Sequence, residues 1–213
     1  MRYLIFSDTH LTPKYEPKKF AALKEAIEQS DRVIINGDFW EGMSYKFEDF
    51  VTSSWSKELF PLLKKKQAVY LYGNHDDKDL SDERRGLFSV KQLKQFVFKS
   101  GPNTYYVEHG DLLLHFPSFP PMVRNTLEII EHMIFIFFGK NFMQSGYKRS
   151  NNKIKKKIAE RFKSKEFLIT GHTHSAEIDL ENHYINSGFN NFGLSQYLFI
   201  EDGVVSAVEK EYL

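Results

Sequence analysis

The chain has 213 residues, a formal net charge of +1 and no cysteine, which suits one domain and excludes disulfides, thiolate metal sites and a cysteine nucleophile. With 41% hydrophobic and 15% aromatic residues it is too apolar for a disordered chain and can bury a sizeable core. The charge is uneven, because residues 140–165 hold ten Lys or Arg against Glu160 alone, and such a block reads either as a solvated basic helix or as a face for an anionic partner.

Three apolar runs of strand length stop abruptly at polar residues. They are Tyr3–Phe6 before Ser7-Asp8-Thr9-His10, Val33–Ile35 before Asn36-Gly37-Asp38, and Ala68–Tyr72 before Gly73-Asn74-His75-Asp76. Continuous apolar runs of this kind read as strands buried on both faces. Between the first two, Phe20, Leu23, Ala26 and Ile27 recur at helical spacing after Pro17, and between the second two lies a less regular helical region from Phe47 to Leu63. The order strand, helix, strand, helix, strand predicts an α/β fold built from βαβ units, with polar residues at strand C-terminal ends, where open α/β sheets place their sites.

A fourth strand is predicted over Thr104–Glu108, after the turn Gly101-Pro102-Asn103 and before His109-Gly110-Asp111. A fifth, Phe167–Thr170, ends at Gly171-His172-Thr173-His174, and the tail from Ile178 to Val208 alternates strand-like runs with turns, as an antiparallel second sheet would. The roughly sixty residues between these two motifs carry an apolar helix, Leu127–Phe138, and a basic helix, Lys153–Lys163. They are read as a helical cap inserted over 119–165 within a single domain of 1–213. The apolar helix contains Glu128, Glu131 and His132 and falls well short of the ~20 apolar residues a membrane span needs. No transmembrane helix and no signal peptide are expected, and a cytoplasmic location follows from that reading.

Five of the eight histidines sit just past predicted strand ends. Imidazole mixed with carboxylate and amide oxygens is a ligand set for hard or borderline divalent ions, and a carboxylate can bridge two of them. One Asp-x-His is a weak signal, but five such motifs in series are not explained by coincidence. Leu112–His115 also reads as a strand ending in histidine; His109 is preferred because the adjacent glycine permits close backbone approach. Asp76 and Asp111 read either as orienters of a ligating imidazole or as turn residues.

This ordered set resembles the calcineurin-like metallophosphoesterases. The resemblance implies a two-sheet sandwich flanked by helices and a dinuclear centre, with one ion on Asp8, His10 and His174, the other on Asn74, His109 and His172, and Asp38 bridging. Two divalent ions, manganese first and iron, zinc, nickel or magnesium as alternatives, would activate a hydroxide, and His75 matches the family's proton-donating histidine. Within the family the chain looks most like the UDP-diacylglucosamine diphosphatases, through Gly37-Asp38-x-x-Glu41, His109-Gly110-Asp111 and the helical insert. That implies hydrolysis of a lipid-linked nucleotide diphosphate, substrate contacts from Glu41, Arg149, Lys153, Ile134 and Phe137, and peripheral contact with an anionic membrane through 140–165. His75 departs from members with arginine there, so a cyclic- or small-nucleotide phosphodiesterase is the alternative. A rival from another class is a non-catalytic scaffold on the same fold. No specific nucleic-acid partner is expected, and the same apolar stripe, Ile129 to Phe138, also fits ordinary core packing.

Overall fold

The computed structural model describes residues 1–115 and 147–212, together with Val123, Thr126, Ile130, Met133 and Phe137. The predicted insert 119–165 therefore lies largely outside the described residues up to position 146. The first half follows the expected order: β1 (Tyr3–Phe6), α1 (Pro17–Glu28), β2 (Arg32–Asn36), α2 (Phe47–Val51), α3 (Ser54–Glu58), α4 (Phe60–Lys65) and β3 (Val69–Leu71). α1 starts on Pro17, whose fixed φ and missing N–H suit a helix's first turn. The irregular second helical region is three short helices. Next come two 3-10 turns, Lys78–Leu80 and Glu83–Leu87, then β4 (Lys91–Leu93), β5 (Gln95–Ser100), β6 (Asn103–Glu108) and β7 (Glu166–Thr170). The tail holds β8 (Glu177–Asp179), β9 (Tyr184–Asn186), β10 (Asn190–Asn191), β11 (Leu194–Glu201) and β12 (Val204–Glu211).

These strands form two sheets. The first runs β10-β11-β1-β2-β3-β4 with β12 on β11, and the second runs β5-β6-β7-β9-β8. β1 to β4 are mutually parallel, as are β6, β7 and β9. The tail thus departs from the expected antiparallel second sheet. β9 joins the second sheet parallel to β7, while β11 pairs antiparallel with β1 of the first. The sequence pattern marks strands without marking their partners, and here consecutive strands divide between sheets.

The continuous apolar runs are explained by two cores. Ile5, Ile34, Val69 and Leu71 meet Tyr105, Val107, Phe167 and Ile169 between the sheets. Leu4, Phe6, Val33, Ile35 and Tyr70, one residue out of phase, face the helices and pack on Leu23, Ile27, Trp55 and Phe60. Each strand of the run is buried on both faces, which alternation cannot reveal. Residues 147–158 are helical and cover the outer face of the second sheet through Ile154 and Ile158 on Leu168 and Tyr184. No helix among the described residues is long and apolar enough to cross a membrane.

Candidate metal centre

The C-terminal ends of β1, β2 and β3 meet those of β6 and β7 along one edge of the sandwich. Asp8, His10 and His174 bring ligand atoms within 4.8 Å of one another, as do Asp38, His109 and His172, and as do His10, Asp38 and His75. Asp38 Oδ2 is 3.2 Å from His109 Nε2 and 3.9 Å from His10 Nε2, and Asp8 Oδ1 is 3.2 Å from His174 Nε2. Asp38 thus stands between the two predicted groups. His115 is exposed after a turn, and Leu112–His115 forms no strand.

The backbone that presents these residues is unusual. Asp8, His10, Asp38, His172 and His174 all have φ between 42° and 65°, the left-handed region that costs an L-residue energy and that Asp and His enter more readily than most. Surrounding bonds hold them there. Asp8 N–H donates to Gly37 O, and the N–H groups of Thr9 and His10 both donate to Asp38 O. Asp76, fully buried, accepts from the N–H groups of Asp38, Phe39 and Gly73, so it is a clamp between the β2 and β3 loops and not the orienter of an imidazole. A Cβ on Gly73 would lie 2.2 Å from Asp38 Oδ1, and one on Gly171 2.5 Å from Asp8 Oδ2; both glycines are needed for the loops to close on the carboxylates.

Hydrogen bonds orient the imidazoles. His109 Nδ1 donates to Asn36 O and His172 Nε2 donates to Leu114 O; a carbonyl can only accept, so a metal could take only the other nitrogen of each ring. Glu41 Oε2 accepts from His10 Nδ1 at 3.1 Å and from His75 Nδ1 at 2.7 Å. Among the buried polar atoms with no hydrogen-bond partner are His10 Nε2, Asn74 Oδ1 and His109 Nε2. Stranding a buried polar atom is costly, and all three belong to residues that the resemblance assigned to metal. The donor set therefore fits divalent ions.

The electrostatics agree. Burial pushes the Asp38 carboxyl up, but the adjacent His109 and His75 overcome it and hold the group well below the usual carboxylate range. Asp8 is lowered against burial by His109 and His174, and Glu41 is lowered to about 2 against burial by its bonds from His10 and His75. Reciprocally, His109 and His75 are raised against burial to about 10 and about 9, first by Asp38. Burial and the charge on His109 take His172 down to about 4. In the metal-free protein, protonated imidazoles supply the positive charge that the carboxylates demand, and a dication bound by His109 would displace the proton of that ring.

A sequence model described as calcineurin-like phosphoesterase matches residues 1–176. The chain belongs to the calcineurin-like phosphoesterase family. Its members bind divalent metals and hydrolyse phosphoesters, and of the two classes weighed from sequence the enzyme is the one supported. No curated protein matches the chain. Among solved structures, an archaeal phosphodiesterase is 16% identical over 99% of this chain and 100% of its own, with a TM-score of 0.52. Yfce, a phosphoesterase from E. coli, is 15% identical over 100% of both chains, with a TM-score of 0.53. At such identities these two likenesses concern the fold.

The residues expected to touch substrate fall differently. Glu41 is 5% exposed, and its Oε2 accepts from two imidazoles, so it braces the centre. Arg149 and Lys153 are exposed on the helix 147–158. Ile134 lies outside the described residues, whereas Phe137 is helical and 70% exposed. Sequence reasoning missed Tyr147, whose ring centroid is 5.7 Å from that of His174. It also missed buried Asn151, which accepts from Thr173 Oγ1 and Tyr184 OH and donates to Ser175 O. Asn151 ties the basic helix to the His172–His174 loop, and Lys155 ties it to Glu177 and Asp179. No signal at the sequence level separates these from solvated helix residues.

Proposed function

We propose that the chain is a dinuclear phosphodiesterase in which Asp8, His10 and His174 hold one ion, Asn74, His109 and His172 hold the other, and Asp38 bridges them. The observation that carries this is the convergence of the ligand atoms of Asp8, His10 and His174 and of Asp38, His109 and His172 within 4.8 Å, with His10 Nε2 and Asn74 Oδ1 buried and without a hydrogen-bond partner. Carboxylate and amide oxygens suit manganese and magnesium and imidazole suits zinc, iron and nickel, so the mixed donor set accepts each of the candidate metals, manganese among them. When bound, the ions supply Lewis acidity and an activated water. The chain's own residues do the rest. His75, raised to about 9 in the metal-free protein by Asp38 and Glu41, is the residue placed to give a proton to the departing oxygen, and Glu41 keeps its Nδ1 occupied so that Nε2 is the acid. Metal-reconstituted protein should cleave bis(p-nitrophenyl) phosphate and lose that activity on chelation; no turnover with two equivalents of metal bound would defeat the reading.

A finer reading, hydrolysis of a lipid-linked nucleotide diphosphate of the UDP-diacylglucosamine type, draws support from the insert. Ile130, Met133 and Phe137 are helical and 46%, 47% and 70% exposed, which favours an apolar surface over the core packing that the same stripe also suits. With the basic residues of 140–165 beside it in the chain, this surface suits acyl chains and an anionic lipid face. Polar substitution at Phe137 should then impair an acylated diphosphate and spare a small aryl diester. Equal loss on both would return the insert to the alternative, a small-nucleotide enzyme.

A further inference from the structure

Lys19, on the first turn of α1, is 1% exposed, a rare state for a lysine because a buried ammonium group is tolerated only when it is paired. Its Nζ donates to Thr9 O at 3.0 Å and to Asn191 Oδ1 at 3.1 Å, and lies 3.3 Å from Glu16 Oε1. Thr9 stands between two of the proposed ligands, Asp8 at φ 53° and His10 at φ 42°. The peptide joining Thr9 to His10 is held at both ends: its oxygen by Lys19, and its N–H by Asp38 O at 3.0 Å. A planar peptide turns as a unit, so flipping it would change ψ of Thr9 and φ of His10 together and release the left-handed strain at His10. The Lys19 ammonium opposes that flip by holding the oxygen on its side.

We infer that Lys19 is a positioning residue for one half of the metal centre: by fixing the Thr9–His10 peptide it aims His10 Nε2 at the ion shared with Asp8 and His174, and leaves the ion on Asn74, His109 and His172 unaffected. The inference rests on the proposed dinuclear centre and assigns Lys19 no contact with substrate. The pull of its charge goes the other way, since a cation near a dication site weakens binding, so the sign of the effect separates aiming from charge.

The test is metal content by elemental analysis, with Mn2+ titration, on full-length Lys19→Met, whose side chain keeps the volume and loses the donors. Outer partners of metal ligands typically contribute about 10–100-fold in affinity, and a loss of that size at one equivalent is expected while the second binds as in wild type. Adding His10→Ala should remove no further ion, and adding His109→Ala should remove the remaining one. The metal-free variant should keep its circular dichroism spectrum and melt cooperatively. Glu16→Gln, which leaves the Thr9 bond in place, should retain both ions. Parallel weakening of both ions, unchanged binding, or tighter binding would overturn the inference. If Lys19→Met does not fold, Lys19→Gln, which retains a shorter donor, should show the same selective loss at smaller size, and its absence is equally decisive. Wild-type protein that fails to bind two ions would instead strike at the dinuclear centre itself, and with it this inference.

Discussion

The loops of the first sheet and those of the second contribute to the cluster in different ways. The first supplies every oxygen donor, Asp8, Asp38 and Asn74, along with His10, and its loops are strapped to one another through Gly37 O, Asp38 O and the Asp76 carboxylate. The second supplies imidazoles alone. Two of these are placed from across the interface, His109 by Asn36 O and His172 through its N–H to the Asp8 carboxylate at 3.0 Å. The carboxylate half is therefore assembled by its own backbone, whereas the imidazole half depends on the sheets having closed. Damage at the shared carboxylate, Asp38, should reach both ions, whereas damage at a single imidazole of the second should reach only one.

The largest effect is expected at Asp38, where the two halves meet. Asp38→Asn keeps the volume but removes the charge that attracts His109 and His75, and an amide bridges two dications poorly. Turnover at matched metal content should fall beyond the roughly 10–100-fold that loss of an outer partner costs. Near-wild-type turnover at matched metal content would mean that the halves do not share this carboxylate.

His109→Ala sharpens the comparison, because it should cost one metal equivalent and leave the other, while His115→Ala, in the exposed turn, should cost none. Elemental analysis of both variants decides it. Loss of both ions from His109→Ala would show that the carboxylate half is not self-sufficient.

His75→Ala addresses a residue that belongs to neither set of ligands. Protonating a poor leaving group by a positioned histidine is typically worth about 10²–10⁴-fold, and an activated aryl oxygen needs little of that help. A steep dependence of the loss on leaving-group pKa is expected; a uniform loss would instead make His75 a support for Asn74 and Glu41.

The same contrast explains what could be read in the sequence. Asp8, His10, Asp38, Asn74, His109, His172 and His174 were legible because each follows an apolar run and carries chemistry that a turn does not require. Glu41 was visible by spacing but not by role, since its bonds to His10 and His75 exist only once the β1, β2 and β3 loops converge. β4 and β5 escaped because both lie at sheet edges, where Lys91, Leu93, Gln95 and Val97 are exposed and no clean alternation survives. Nothing local sets Lys19 or Lys155 apart from a solvated helix lysine; one is buried under the first loop and the other is paired with Glu177 and Asp179. Partnership across the fold is what local patterns do not encode.

The smallest effect expected is on stability, and it isolates the strap within the carboxylate half. In the metal-free protein Glu41 falls from 4.5 to about 2 and His75 rises from 6.5 to about 9. A depressed carboxyl contributes stability that is present above pH 4.5 and is lost as the pH falls toward 2. A raised imidazole contributes stability that is present below pH 6.5 and is lost as the pH rises toward 9. The pair should therefore stabilise most between these two values and lose its contribution on either side. At about 1.4 kcal/mol per pH unit, the acid arm amounts to roughly 3 kcal/mol at most, and because the partners share it the two arms do not add. Urea unfolding of metal-free wild type and Glu41→Gln across pH should show the acid limb reduced in the variant, with Asp8 and Asp38 supplying what remains. The basic limb should be reduced but retained, since Asp38 still holds His75 up. An unchanged acid limb would mean that the Glu41 carboxylate is not paired with these imidazoles in solution, and the carboxylate half would then rest on its backbone bonds alone.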